Sequence, residues 1–222
     1  MPKSLRLATV LLVLFIGVMV ALGIAPLKRA DWLLENAMVF ITVPILVLTA
    51  RKFPFSRVSY VCFFIFLCFH ELGSHYSYSN VPYRDWLGLE DGGRNHYDRL
   101  VHFLYGLLLA YPMREIFLRI ADAKGFWGYF LPLDLTLSTS MIYELIEWGA
   151  ASVFGGDLGQ AYLGTQGDEW DAHKDMALAG LGAIIAMLIT SAINARCQRD
   201  FAREFRDSLR IKHREPAELP PG

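Results

Sequence analysis

The sequence predicts an all-α fold, a polytopic membrane bundle of six transmembrane helices with both termini in the cytoplasm. Three observations carry this expectation. Hydrophobic residues make up 54% of the 222 residues, mean hydropathy is +0.33, and the apolar residues fall in blocks rather than spreading along the chain. Each block is near the ~20 residues that a helix needs to cross ~30 Å of hydrocarbon. Continuous runs such as Leu11–Val20 and Val61–Phe69 replace the ~10-residue alternating segments of a β-barrel.

The spans are expected at Leu5–Ala25, Trp32–Ala50, Val58–Tyr76, Leu100–Ala121, Phe126–Gly149 and Met176–Ala195. The first begins behind Lys3 and Arg6, as a secretory signal would. Its apolar stretch is longer than a signal core, and Pro26 follows the only small-residue cleavage site at Ala25, so it reads as a retained anchor. In the sixth, Ala179, Gly182, Ala183 and Ala186 place small residues at helical spacing, a face suited to close helix packing. Residues 1–195 form one membrane domain. Residues 196–222 form a cytoplasmic tail in which Cys197, Phe201, Phe205 and Leu209 recur every four residues among arginines, the pattern of an amphipathic helix on the inner leaflet or of a solvated helix end. A disordered end from Glu215 follows.

Basic residues set the orientation. Lys3, Arg6, Arg51, Lys52, Arg57, Arg119, Lys124 and the Arg-rich tail fall on one side, which the positive-inside rule makes cytoplasmic. The connections 77–99 and 150–175 then face outward, and nearly every unusual polar residue lies there. Cys62, Cys68 and Cys197 form neither a disulfide framework nor a zinc knuckle. There is no nucleotide fingerprint, Gly-rich phosphate loop, nucleic-acid signature or convincing Ser/His/Asp order.

Ionisable groups are costly at membrane depth, so their gathering at the outer span ends points to use. The third span ends His70-Glu71-Leu72-Gly73-Ser74-His75, which superficially resembles the zinc-protease H-E-x-x-H but fails it, because histidines five apart diverge by ~140° on a helix. Glu71 and His75 share a face. Asp98 and His102 lie one turn apart at the start of the fourth span, a carboxylate–histidine ligand spacing. Glu144 and Glu147 are neighbours on the fifth, and Glu35 would join the same layer. Asp168, Asp171 and Asp175 share a stripe if the sixth helix begins early. His70, Glu71, His75, Asp98, His102, Glu144, Asp168, Asp171 and Asp175 are therefore candidate ligands for a divalent metal ion, with Mg, Mn or Ca favoured by the oxygen-rich set and zinc served by the histidines. Glu147, Glu144 and Asp98 are the candidate catalytic groups. Arg84, Arg94 and Arg99 are candidate binding residues for a phosphate or carboxylate, or partners of neighbouring aspartates. The loop aromatics Tyr76, Tyr78, Tyr83 and Trp86 fit an interfacial belt or a cover over a head-group site.

The strings His70-Glu71-Leu72-Gly73, Arg94-Asn95-His96-Tyr97-Asp98-Arg99-Leu100-Val101-His102-Phe103, Tyr143-Glu144-Leu145-Ile146-Glu147-Trp148 and Gly164-Thr165-Gln166-Gly167-Asp168-Glu169-Trp170-Asp171 resemble the motifs of the YjdF-like family of bacterial inner-membrane proteins of unknown function. Tyr143 and Gln166, inside these strings, join the candidate binding residues. More distantly, residues from Asp98 to about Ile189 resemble the VanZ-like proteins through Asp98, Arg99, His102 and Glu144. Glu147 stands where that pattern usually has Gln and Asp175 where it has Asn, which makes this version more acidic. The VanZ-like resemblance implies a link to glycopeptide resistance at the cell envelope.

Three function classes fit. The first is an enzyme or binding protein of the bacterial inner membrane, whose outward-facing Asp/Glu/His/Arg cluster holds a divalent cation and takes a phosphate-bearing lipid or envelope precursor. The second is an ion-coupled permease, which would usually place its ionisable groups and broken helices near the midplane. The third is a membrane scaffold whose cluster is a structural ion-pair network. The expected partners are the lipid bilayer and that precursor, with no nucleic acid.

Overall fold

The computed structural model describes residues 3–89, 93–154, 165–198 and 201–210, and every regular element among them is helical. The disordered end expected from Glu215 lies outside them. In chain order the helices are α1 (Lys3–Gly23), α2 (Arg29–Glu35), α3 (Ala37–Thr49), α4 (Arg57–His75), α5 (Tyr83–Leu87), α6 (Tyr97–Ile120), α7 (Trp127–Phe154), α8 (Asp171–Cys197) and α9 (Phe201–Ser208).

Among the described residues, four stretches are long and apolar enough to cross a membrane: Lys3–Gly23, Arg29–Thr49, Arg57–His75 and Asp171–Cys197. Helices α6 and α7, of 24 and 28 residues, extend roughly 36 and 42 Å and so have the length. Their charges, among them Asp98, Arg99, Arg114 and Glu115 in α6 and Asp134, Glu144 and Glu147 in α7, keep them below the apolarity of the other four. The second expected span is two helices, α2 and α3, that part at Asn36. Its amide Nδ2 turns back to the Trp32 carbonyl at 2.9 Å, a local bond that competes with regular helix continuation.

The most extensive packing joins α6 to α8. The two run parallel, and small residues let their backbones touch: a Cβ on Gly106 would stand 1.8 Å from the Ala179 carbonyl oxygen, and one on Gly182 would stand 2.2 Å from that of Phe103. Ala179 and Ala183 are fully buried, so the small-residue face of the sixth span meets α6 rather than lipid. This fixes the register. Arg94 pairs with Asp171, 77 positions later, and the same offset sets Asp98 against Asp175, His102 against Ala179 and Gly106 against Ala183.

Away from that end, Ser56 caps α4 by accepting the Ser59 N–H, and the Glu115 carboxylate of α6 accepts from the Ser56 N–H at 2.9 Å and the Ser59 hydroxyl at 2.7 Å. Arg119 bridges Glu115 and the Pro54 carbonyl, tying the α3–α4 connection to α6. The tail helix α9 docks on the α6–α7 connection. Glu204 and Ser208 accept from the Gly125 and Phe126 N–H groups, and Phe205 and Phe201 meet Phe126 and Tyr129 edge-on. Phe201 and Phe205 of the expected apolar face thus meet the protein, while Cys197 and Leu209 of the same face are exposed.

Candidate functional site

The ladder between α6 and α8 places two layers of charge at the end where both helices begin. At the rim, Arg94 donates to both Asp171 oxygens and to the Thr165 carbonyl, and Arg99 donates to Asp168 at 2.5 Å and to Asp171 at 3.1 Å. Lys174 reaches Asp168 at 2.6 Å. Lys174, the Trp170 N–H and Arg99 hold the Asp168 carboxyl well below the usual carboxylate range. Burial, and then the positive charges of Arg99, Arg94 and Arg84, push the His96 imidazole down. Gln166 completes the rim: its Oε1 accepts the Asn95 N–H at 2.9 Å and its Nε2 donates to the Asn95 carbonyl at 3.0 Å. Arg84 binds the Arg94 carbonyl at 3.0 Å, so it braces the loop beside the rim.

One turn deeper the composition changes. Asp98, His102 and Asp175 each present a ligand atom, all within 4.8 Å of one another, and Asp175 is 2% exposed. His102 Nε2 stands 3.7 Å from Asp98 Oδ1 and 3.5 Å from Glu144 Oε1, too long for good hydrogen bonds. Glu144 Oε1 and Asp175 Oδ1 are buried without a hydrogen-bond partner. Glu147 lies within electrostatic reach of Asp98, Glu35, Glu144 and Asp175. Tyr143 donates its hydroxyl to Glu35 at 2.8 Å and sets its ring against His102, linking α2 to this layer. The carboxylates here outnumber the basic groups, with His102 among them and Arg94 and Arg99 reaching Asp98 only from the rim, and a buried surplus of negative charge needs a cation or protons. The centre of a 4.8 Å triangle is about 2.8 Å from each corner, so a contraction of a few tenths of an ångström reaches calcium–oxygen distances and a larger one those of magnesium.

The structure separates the third span's candidates from this layer. His70 Nδ1 is bonded by the Tyr78 hydroxyl at 2.6 Å. His75 Nδ1 meets the Leu22 carbonyl of α1 at 2.7 Å and His75's own carbonyl accepts the Leu27 N–H, so it ties α1 to α4. Glu71 is fully buried on another face, beside Trp32 and Asn36 but without a closed hydrogen bond to either. Asp168 and Asp171 belong to the rim, where arginine and lysine take the oxygens a metal would need. Tyr78, expected in an interfacial belt or in a cover over a head-group site, is 8% exposed and packs with Val81, Tyr97 and Val101. The burial of Asp31, whose Oδ2 accepts from Ser77 at 2.9 Å, had no signal in the spacing.

With this geometry in hand, comparison with known proteins adds kinship. Residues 7–196 match the family described as "Predicted membrane protein (DUF2238)". The chain is 37% identical over 189 residues to the inner membrane protein YjdF of Escherichia coli (strain K12), covering 83% of this chain and 88% of that protein. No solved structure matches. With the family match spanning all but the ends of the chain and a relative this similar, the protein belongs to the DUF2238 family of membrane proteins and is YjdF-like.

Proposed function

We propose that this inner-membrane protein binds a divalent cation between α6, α7 and α8 through Asp98, His102 and Asp175, with Glu144 as fourth ligand, and uses it to engage a phosphate-bearing lipid or envelope precursor. The observation that carries the reading is the second layer itself: three ligand atoms within 4.8 Å of one another, with buried, unpartnered oxygens on Asp175 and Glu144. Three oxygens and one imidazole suit Mg²⁺, Mn²⁺ or Ca²⁺ better than zinc. Arg94 and Arg99 stand at the rim beside this layer, and an anion reaching the metal would share them with Asp168 and Asp171. Glu147 is the group placed to take or give a proton. The VanZ-like pattern at Asp98, Arg99, His102 and Glu144 supports an envelope ligand. The rim alone favours the scaffold reading, because its aspartates are already paired.

The accompanying topology has six spans, with α6 and α7 crossing beside the four apolar stretches, both termini cytoplasmic, and the tail from 196 outside the membrane domain. In a background lacking Cys62, Cys68 and Cys197, a membrane-impermeant thiol reagent should label Asn80→Cys and Glu169→Cys but not Arg206→Cys in intact cells. The reverse labelling would move the site to the cytoplasmic side. For the metal, protein purified without chelator should hold about one Mn²⁺ or Mg²⁺ per chain by elemental analysis. Asp98→Asn and Glu144→Gln should lose it while keeping a monodisperse, helical fold. A metal-free parent that also fails to bind added Mn²⁺, together with misfolding of both variants, would leave only the scaffold.

A further inference from the structure

A cavity of about 670 Å³ lies away from the acidic site, at the other half of α4. It lies between α1, α3 and α4, walled by Leu12, Phe15, Val47, Phe63, Phe64 and Leu67 among other apolar side chains. Its origin is the position of α3. That helix is apolar all round, packs against α2, and shares no extended interface with α1 or α4 among the described residues. In a bilayer such a helix needs no protein partner, since lipid tails are as apolar as leucine. The cleft therefore opens to hydrocarbon.

The polar groups along it are already satisfied. Thr9 Oγ1 donates to the Leu5 carbonyl at 2.9 Å, and the Tyr60 hydroxyl accepts the Phe55 N–H at 3.2 Å. Pro54 gives its carbonyl to Arg119 at 2.6 Å. Among the described lining residues the one cation is Arg51, exposed at the end of the cleft, with Lys52 next to it in the chain. A fitting occupant is a hydrocarbon chain with an anion at one end, and in this setting that is a membrane phospholipid.

We propose that the cleft is a binding site for one anionic phospholipid, its acyl chain between α1, α3 and α4 and its phosphate at Arg51. The lipid fills the space that α3 leaves and holds that helix against α4 by dispersion contacts with both sides. The site is separate from the cation layer, so its test does not depend on metal binding.

In nanodiscs, phosphatidylglycerol carrying a photoreactive acyl chain should crosslink the parent protein preferentially within Leu5–Phe15, Val43–Ala50 and Tyr60–Leu67. Phosphatidylcholine with the same chain should crosslink there less. Arg51→Ala should reduce the phosphatidylglycerol preference by about fivefold, the weight of one basic residue near an anionic surface. Val47→Trp, which fills the cleft, should abolish the crosslinks there and leave manganese binding unchanged. Crosslinks spread evenly over the lipid-facing sides of α6, α7 and α8, or equal labelling by both lipids in the parent, would overturn the proposal without any variant having to fold. Retention of the full preference in Arg51→Ala would remove the headgroup assignment.

Discussion

Two neighbouring pairs where α6 and α8 begin, Arg94–Asp171 with Arg94 just before α6 and Asp98–Asp175 on the helices, share one sequence offset and have opposite electrostatics. At the first, Arg94 meets Asp171, and the pair is nearly dry, with side chains 12% and 4% exposed. At the second, one turn deeper, two carboxylates face each other beside His102. The first rung is complete as built and the second is not, which teaches that burial of charge by itself does not mark the site. Incomplete compensation does. Two rungs further, at 106/183, side chains disappear and the backbones touch, so the spacing of both charged rungs is held rigidly.

The largest effect should come from that contact. Gly106→Leu places a side chain where the Ala179 carbonyl already stands and should abolish the monodisperse peak in size-exclusion chromatography, whereas Gly17→Leu, where a Cβ meets nothing within 4 Å, should leave it intact. If both variants behave alike, the ladder is not the spacer of the site.

Breaking the first rung is next. Arg94→Ala leaves buried Asp171 with only the 3.1 Å contact to Arg99 and should lower the melting temperature in detergent, by less than the ~3–5 kcal/mol of a fully stranded charge. The second rung should answer in the opposite sense. Without metal, Asp98→Asn should melt higher than the parent because it removes a like-charge opposition. With Mn²⁺ at ~100 times its dissociation constant, the parent should gain about 2.7 kcal/mol and the order should reverse. A parent that stays below Asp98→Asn at every manganese concentration would contradict the cation site.

The smallest effect concerns the outermost pairing. The Asp168 carboxyl is held below its ordinary range, so its contribution is fully present above the unfolded carboxylate value and is lost as pH falls through the lowered one. The melting difference between the parent and Asp168→Asn should be constant above about pH 5 and shrink on acidification. A difference that instead grows with acid would mean that Asp168 is not held by Lys174 and Arg99.

Much of this was legible in one dimension, because helical periodicity is local. The apolar blocks place helices over all six expected stretches, Asp98 and His102 share a face because four residues make about one turn, and the small residues of α8 announce a close neighbour. The sequence could not say which neighbour, since Ala179 and Ala183 fit any helix with a glycine in the right place. Only the tertiary structure chose Gly106, and that contact fixed the offset that pairs Arg94 with Asp171 and opposes Asp98 to Asp175. It also decided that the motif His70-Glu71-Leu72-Gly73 points three ways: His70 to Tyr78, Glu71 to Trp32 and Asn36, and nearby His75 to Leu22. Residue type and spacing set what a side chain can do, but the partner it meets depends on backbone approach between segments far apart in sequence, and no local period encodes that.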